Sequence, residues 1–288
     1  MTMAKSKLVL DSRPHGDLKS FIHPVTDAEM VFVPGGSFDM GCDHGAPSES
    51  PIHRVTLEAF WVDVYPVTNA RFVRFVETTG HRTRAECEGR AWGFVNGRFD
   101  MVDGLSWRSY ATESRCNHPV VLVSWHDAVA YCEWAGVRLL TEAEWECCAR
   151  GGLDGKEFPW GNEVPDGSQS NFARVPSELP PTLPVGEKVR NPLGLADLVG
   201  NVWQWCTDWF DENYYGSSPI DNPNGPDSGR LKVRRGGSWN VIQGFRLRCS
   251  NRGAMDPVKT APNVGFRTAM TSAESAKQGG QRFEFRNR

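Results

Sequence analysis

Apolar positions in this chain fall in short runs separated by polar and glycine-rich stretches. Met30-Val31-Phe32-Val33, Pro34-Gly35-Gly36 and Ser37-Phe38-Asp39-Met40-Gly41 form a strand, a turn and a second strand, which predicts a hairpin. Arg54-Val55-Thr56-Leu57 and Phe60-Trp61-Val62-Asp63 predict further strands after a polar loop. Helical spacing takes over at Phe72, Val73, Phe75 and Val76, with Thr68 as N-cap and Gly80 as the stop. Ser124 with Asp127 three residues on, and Thr141 with Glu144, are two capping boxes that open helices toward Gly136 and Gly151. Residues 81–119 carry Trp92 and Trp107 but little periodicity, so they are expected as an irregular surface insertion. His118 to Val123 is expected as a short strand. Phe245 and Leu247 alternate with Arg246 and Arg248, as in a half-buried strand with both arginines on one face.

Outside these elements the pattern weakens. Residues 1–28 are polar and mixed, an expected arm wrapping a domain at 29–271. Residues 272–288 are rich in Gly and Gln and are expected as a flexible polar tail. The fold class is α+β, loop-rich, with short strands and a few capped helices. Eleven Trp, 29 Gly and 19 Pro fit large rings and tight turns in place of long helices.

Composition narrows the functional classes. A net charge of −3 leaves no basic footprint for nucleic acid. No apolar run approaches the ~18 residues of a membrane span, and Met1 to Asp11 lacks the core of a signal peptide. The expectation is a cytoplasmic protein with a peptide, protein or small-molecule ligand. None of the eight cysteines forms a Cys-x-x-Cys pair, so free and mostly buried thiols are expected. The seven histidines share no ligand spacing, and no Gly-x-Ser-x-Gly, phosphate loop or dinucleotide fingerprint occurs.

Seven motifs occur in order between residues 30 and 270. They are the Val33-to-Gly41 opening, Pro66-Val67-Thr68-Asn69, His118-Pro119-Val120 with Val123-Ser124-Trp125, and Leu140-to-Glu146. Phe158-Pro159-Trp160-Gly161-Asn162 and Gly200-Asn201-Val202-Trp203 follow. The last runs from Gly236-Gly237-Ser238-Trp239 through Arg246-Leu247-Arg248-Cys249-Ser250-Asn251-Arg252 to Asn263-Val264-Gly265-Phe266-Arg267. Together they resemble the formylglycine-generating enzyme, or sulfatase-modifying factor, family, which implies that family's C-type-lectin-like α+β fold.

The resemblance also implies chemistry. The family's enzymes oxidise a sulfatase cysteine to formylglycine with oxygen and a Cu(I) ion held by two thiolates, soft ligands suited to Cu(I). Here Val241 stands where the first cysteine is expected, and Gly244 or Arg246 where the second should be. Copper is therefore not expected, while iron is left open. Cys249 matches a family cysteine that is structural in some members. The calcium sites implied by the family fall on Val199, Gly200, Val202 and Gln204, with Asn171 and Phe172 in a second. Gln204 replaces a glutamate, which removes a formal charge and weakens Ca²⁺. Ser238, Trp205, Arg252 and Asn263 match residues that line the family's substrate cleft. The sequence adds Asn240 and Arg248 as polar pocket positions. Three functions follow as expectations: a binding domain without copper, a repurposed oxygen-dependent oxidoreductase, or a sulfatase activator using Cys249 or Cys206.

Overall fold

Residues 19–271, together with residues 286–287, are described by the computed structural model. The chain begins with strands β1 (Lys19–Ile22), β2 (Glu29–Val33), β3 (Gly36–Met40), β4 (His53–Leu57) and β5 (Phe60–Asp63). Helices α1 (Asn69–Thr79) and α2 (Arg84–Glu88) precede a hairpin, β6 (Arg90–Val95) and β7 (Arg98–Asp103). Helix α3 (Trp125–Ala135), the short β8 (Arg138–Leu139) and helix α4 (Glu142–Arg150) follow. The remainder holds β9 (Trp203–Trp209), β10 (Lys232–Arg235), β11 (Arg252–Met255), β12 (Val264–Phe266), β13 (Thr268–Thr271) and β14 (Arg286–Asn287).

Two sheets organise the molecule. One runs β14-β1-β2-β5-β13-β8, the other β11-β10-β9-β12. Only Arg267 separates β12 from β13, so the chain crosses between sheets at that residue. Its fully buried guanidinium binds the carbonyls of Asp63 (2.7 Å) and Val64 (2.6 Å) at the end of β5, the carbonyl of Ala196 (2.5 Å), and Gln204 Oε1 on β9 (3.0 Å). Five rigid donors on one planar group suit arginine to joining backbone segments in this way. The fold is α+β and loop-rich, as the sequence indicates.

The capped helices start where expected. Thr141 Oγ1 accepts from Glu144 N (3.1 Å) while Glu144 Oε2 accepts from Thr141 N (2.9 Å), and Ser124 and Asp127 repeat the arrangement on α3. Thr141→Ala is expected to cost about 1 kcal/mol, because it orphans the Glu144 N–H, which urea unfolding would measure.

Several expectations are corrected. The hairpin predicted at residues 30–41 does not form. Both edges of β2 are taken by β1 and β5, and β3 pairs with β4 instead. The segment assigned to an N-terminal arm contains β1, an integral strand with Phe21 buried. The expected flexible tail lies mostly outside the described residues, and its residues 286–287 pair with Lys19 and Ser20. The insertion at 81–119 is ordered. Asn96 and Gly97, both at positive φ, turn β6 into β7, an Asn-Gly hairpin signal that outweighs weak periodicity. His118 to Val123 contributes only an isolated bridge, Pro119 to Thr68.

Candidate functional site

Arg235, the last residue of β10, anchors the segment that carries most of the predicted site residues. It is fully buried and forms an ion pair with Glu146 of α4, with Glu142 of the same helix 3.6 Å away. Its other N–H groups reach the carbonyls of Ser250 (2.7 Å), Asn251 (2.9 Å) and Cys249 (2.8 Å). Burial alone would push the Glu146 carboxyl up, but Arg150, Arg235 and the Gly41 N–H hold it below the ordinary carboxylate range. An acidic helix can thus be buried from Glu142 to Ala149, a feature the capping-box reading left unexplained.

Gly236 follows at φ 97°, with Leu198 O only 2.4 Å from where a Cβ would stand. Only glycine fits that approach. Beyond it the chain forms a polar cluster. Ser238 Oγ donates to Asn240 Oδ1 (2.8 Å), and Asn263 Nδ2 donates to Asn240 Oδ1 (2.9 Å) and Ser238 Oγ (3.2 Å). Ser238 is buried, whereas Asn240 and Asn263 are partly exposed. Asn240 Nδ2 and Asn263 Oδ1 have no protein partner among the described residues, so a donor and an acceptor remain for a ligand.

The other three predicted pocket residues lie elsewhere. Trp205 is a core side chain whose Nε1 donates to Val123 O (3.2 Å). Arg248 follows a turn and lies outside any strand, whereas Arg252 opens β11 and pairs with Arg235. Residues 244–247 form a 3-10 turn, so the alternation read from the sequence does not become β-structure there. Arg248 pairs with the buried Glu49 (2.9 and 3.0 Å), a residue the sequence reading passed over. Arg252 grips Glu142 (2.7 and 2.8 Å) and the carbonyl of Ser48 (2.7 Å), with its guanidinium 4.1 Å from the Tyr215 ring centre. The structure therefore separates the six positions into a Ser238–Asn240–Asn263 cluster, an arginine region against residues 44–49, and a core tryptophan.

The metal positions can be tested against their surroundings. Val241, at the expected first-thiolate position, is 8% exposed and offers only hydrocarbon, and its carbonyl accepts from Ala173 N (2.8 Å). Gly244 packs toward Pro165, and Arg246 is exposed. None of the three supplies a soft ligand, so copper does not fit. Cys249 and Cys206 are both fully buried. Burial pushes the Cys249 thiol up to about 12 and that of Cys206 well above its usual value, so neither is a ready thiolate.

The calcium positions are committed to protein contacts. Gln204 Oε1 accepts from Trp145 Nε1 (3.1 Å) and from the Arg267 guanidinium (3.0 Å), while its amide donates to Asp197 O (2.6 Å). Val199 O accepts from Ser170 Oγ (2.6 Å). Gly200 and Val202 lie buried beside them. A guanidinium on the would-be ligand oxygen opposes a second cation there, so the Gln204 site does not fit Ca²⁺. In the second pair, Asn171 Oδ1 accepts from Arg174 Nε (2.8 Å), Asn171 O accepts from Asn201 N (2.8 Å), and Phe172 is half-buried against the core.

A Gly-Gly-Ser-Trp turn over an arginine-stapled, loop-rich α+β scaffold defines a protein of the formylglycine-generating-enzyme-like fold. The chain belongs to the sulfatase-modifying factor enzyme 1-like family, whose domain matches residues 18–272. It is 39% identical to the formylglycine-generating enzyme of Streptomyces coelicolor, over 88% of this chain and 94% of that protein. It is 34% identical to the inactive Cα-formylglycine-generating enzyme 2 of Bos taurus, over 83% of this chain and 87% of that one. Among solved structures, PvdO from Pseudomonas aeruginosa superposes with a TM-score of 0.71 at 26% identity, covering 91% of this chain and all of PvdO.

Proposed function

We propose that this chain is a sulfatase-modifying-factor-like binding domain that lacks the copper chemistry and takes an amide-bearing ligand, of peptide, protein or small-molecule origin, at Ser238, Asn240 and Asn263. One observation carries the reading. The cluster leaves an amide donor on Asn240 and an amide acceptor on Asn263 open at the surface, the complement of a ligand amide. The buried hydrocarbon of Val241 beside it supports a role without redox chemistry. Exposed Ile242 (83%) and Phe245 (53%) on the adjoining loop supply apolar contact area next to the polar pair. The relative described as inactive supports the idea that the fold persists where the activity does not.

The test combines metal analysis with turnover on one sample. The purified chain, given Cu(I), oxygen and a Cys-x-Pro-x-Arg peptide, is expected to form no aldehyde, which mass spectrometry reads directly. Peptides selected from a display library are expected to bind the parent and to lose roughly tenfold in affinity to an Asn240→Ala, Asn263→Ala variant. Aldehyde formation would sink the proposal in favour of a sulfatase activator. Tightly bound iron without aldehyde would favour an oxygen-dependent oxidoreductase.

A further inference from the structure

A cavity of about 530 Å³, lined by none of Ser238, Asn240 and Asn263, opens between the loop at residues 44–49 and the turn at residues 244–247. Phe245, Arg246, Arg248 and Asn251 line one side, and Gly45 and Glu49 the other. Its polar groups are mostly donors. Arg248 is 93% buried, because only 7% of it is exposed, and its Nε is enclosed without a partner among the described residues. The Asn251 Nδ2 amide is likewise enclosed and unpartnered. Arg246 is exposed and makes no ion pair among the described residues. The Glu49 carboxylate is already spent on Arg248, Ser250 Oγ (2.7 Å) and Ala46 N (3.1 Å).

Unmet buried donors in a low-dielectric wall cost free energy until an acceptor arrives. Guanidinium and the amide –NH₂ only donate, so the missing group is an acceptor, and the exposed Arg246 charge at the mouth favours an anionic one. Gly45 leaves the mouth open where a side chain would close it, since a Cβ there would stand 2.4 Å from Glu49 Oε2 and 2.8 Å from Arg248 Nη2. The Phe245 ring, with the Arg248 guanidinium 5.7 Å from its centre, forms an apolar wall beside the donors.

We propose that this cavity is an anion subsite that takes a carboxylate or phosphate oxyanion on Arg246, Arg248 and Asn251. The enclosed donors of Arg248 and Asn251 carry most of the affinity, and exposed Arg246 adds a screened positive charge at the mouth. Arg252 also lines the cavity, but its guanidinium is held by Glu142. The site is separate from the Ser238–Asn240–Asn263 cluster, and its existence does not depend on what that cluster binds.

The test is a calorimetric titration of the whole chain with inorganic phosphate and, separately, with succinate, at ionic strength held constant with chloride. Saturable binding of either anion is expected. Asn251→Ala, which removes a side-chain donor without a protein partner, is expected to weaken it roughly tenfold. Arg246→Gln at the surface is expected to weaken it roughly threefold to fivefold. Both variants are expected to keep the parent's melting temperature in chloride alone. Preference for phosphate would indicate a phosphate ester as ligand, and preference for succinate a carboxylate. Absence of saturation beyond the chloride control, or equal binding by the Asn251→Ala variant, would overturn the proposal.

Discussion

Replacing Arg235 with methionine is expected to destabilise the chain by about 3–5 kcal/mol, the cost of breaking one side of a buried ion pair. The substitution would leave the buried Glu146 carboxylate with Arg150 as its remaining cation partner and leave the carbonyls of Cys249, Ser250 and Asn251 without their shared donor. Total stabilities of about 5–15 kcal/mol leave little after such a loss. The measurement is urea unfolding followed by tryptophan fluorescence, with soluble yield at 37 °C as a coarser readout. Arg235→Lys should cost less, because an ammonium keeps the charge on Glu146 but cannot fork across three carbonyls. Equal stability of the methionine variant and the parent would mean that the Glu146 cluster is held by Arg150 alone (2.6 Å).

The second large effect is a pH dependence centred on Asp208 of β9. Burial pushes its carboxyl up to about 7, and the negative charge of Glu142 adds to the rise. Hydrogen bonds from Glu142 N (2.8 Å) and Thr207 Oγ1 (3.0 Å) recover only part of it. Between an ordinary aspartate value of 3.8 and about 7, the folded chain holds a proton that the unfolded chain has released. Stability should therefore fall as pH rises through that window, by about 1.4 kcal/mol per pH unit and on the order of 4 kcal/mol in all. His118 works in the opposite direction. Burial and Arg115 hold its imidazole down to about 4, so its contribution is complete above its ordinary value of 6.5 and is lost as pH falls toward 4. Asp208→Asn separates the two, since its amide oxygen can accept the same hydrogen bonds without a charge. The variant should gain on the parent steadily from pH 4 to pH 7 and hold the advantage above. Parallel unfolding curves for parent and variant would show that Asp208 stays ionised throughout.

The two networks explain where sequence reasoning succeeded and where it stopped. Thr141 and Glu144 announce a helix start because a capping box is local, three residues apart, and needs no tertiary partner. Glu142 and Glu146 stand in the same short stretch and resemble ordinary surface acids. Their burial depends on Arg235 and Arg252, which lie about a hundred residues further along the chain, and nothing within the helix signals that contact. Arg248 and Arg252 stood out in the sequence as pocket candidates, but their pairing with Glu49 and Glu142 was not legible there. Arg248 follows the 3-10 turn at residues 244–247 and not the expected strand, so strand alternation does not set its direction. The Asn96-Gly97 hairpin was legible in principle, as that dipeptide favours positive φ at both turn positions.

By itself, the sequence determined the α+β class, the capped helices, the family motifs and the absence of thiols at Val241, Gly244 and Arg246, because each rests on local chemistry or on residue identity. Tertiary structure alone decided the pairing of β2 with β1 and β5, the burial of the Arg235–Glu146 pair, the guanidinium on Gln204, and the division of one expected pocket into two. These are contacts between segments far apart in the chain. Their energies depend on which groups share a dehydrated space, a quantity that no window of sequence contains.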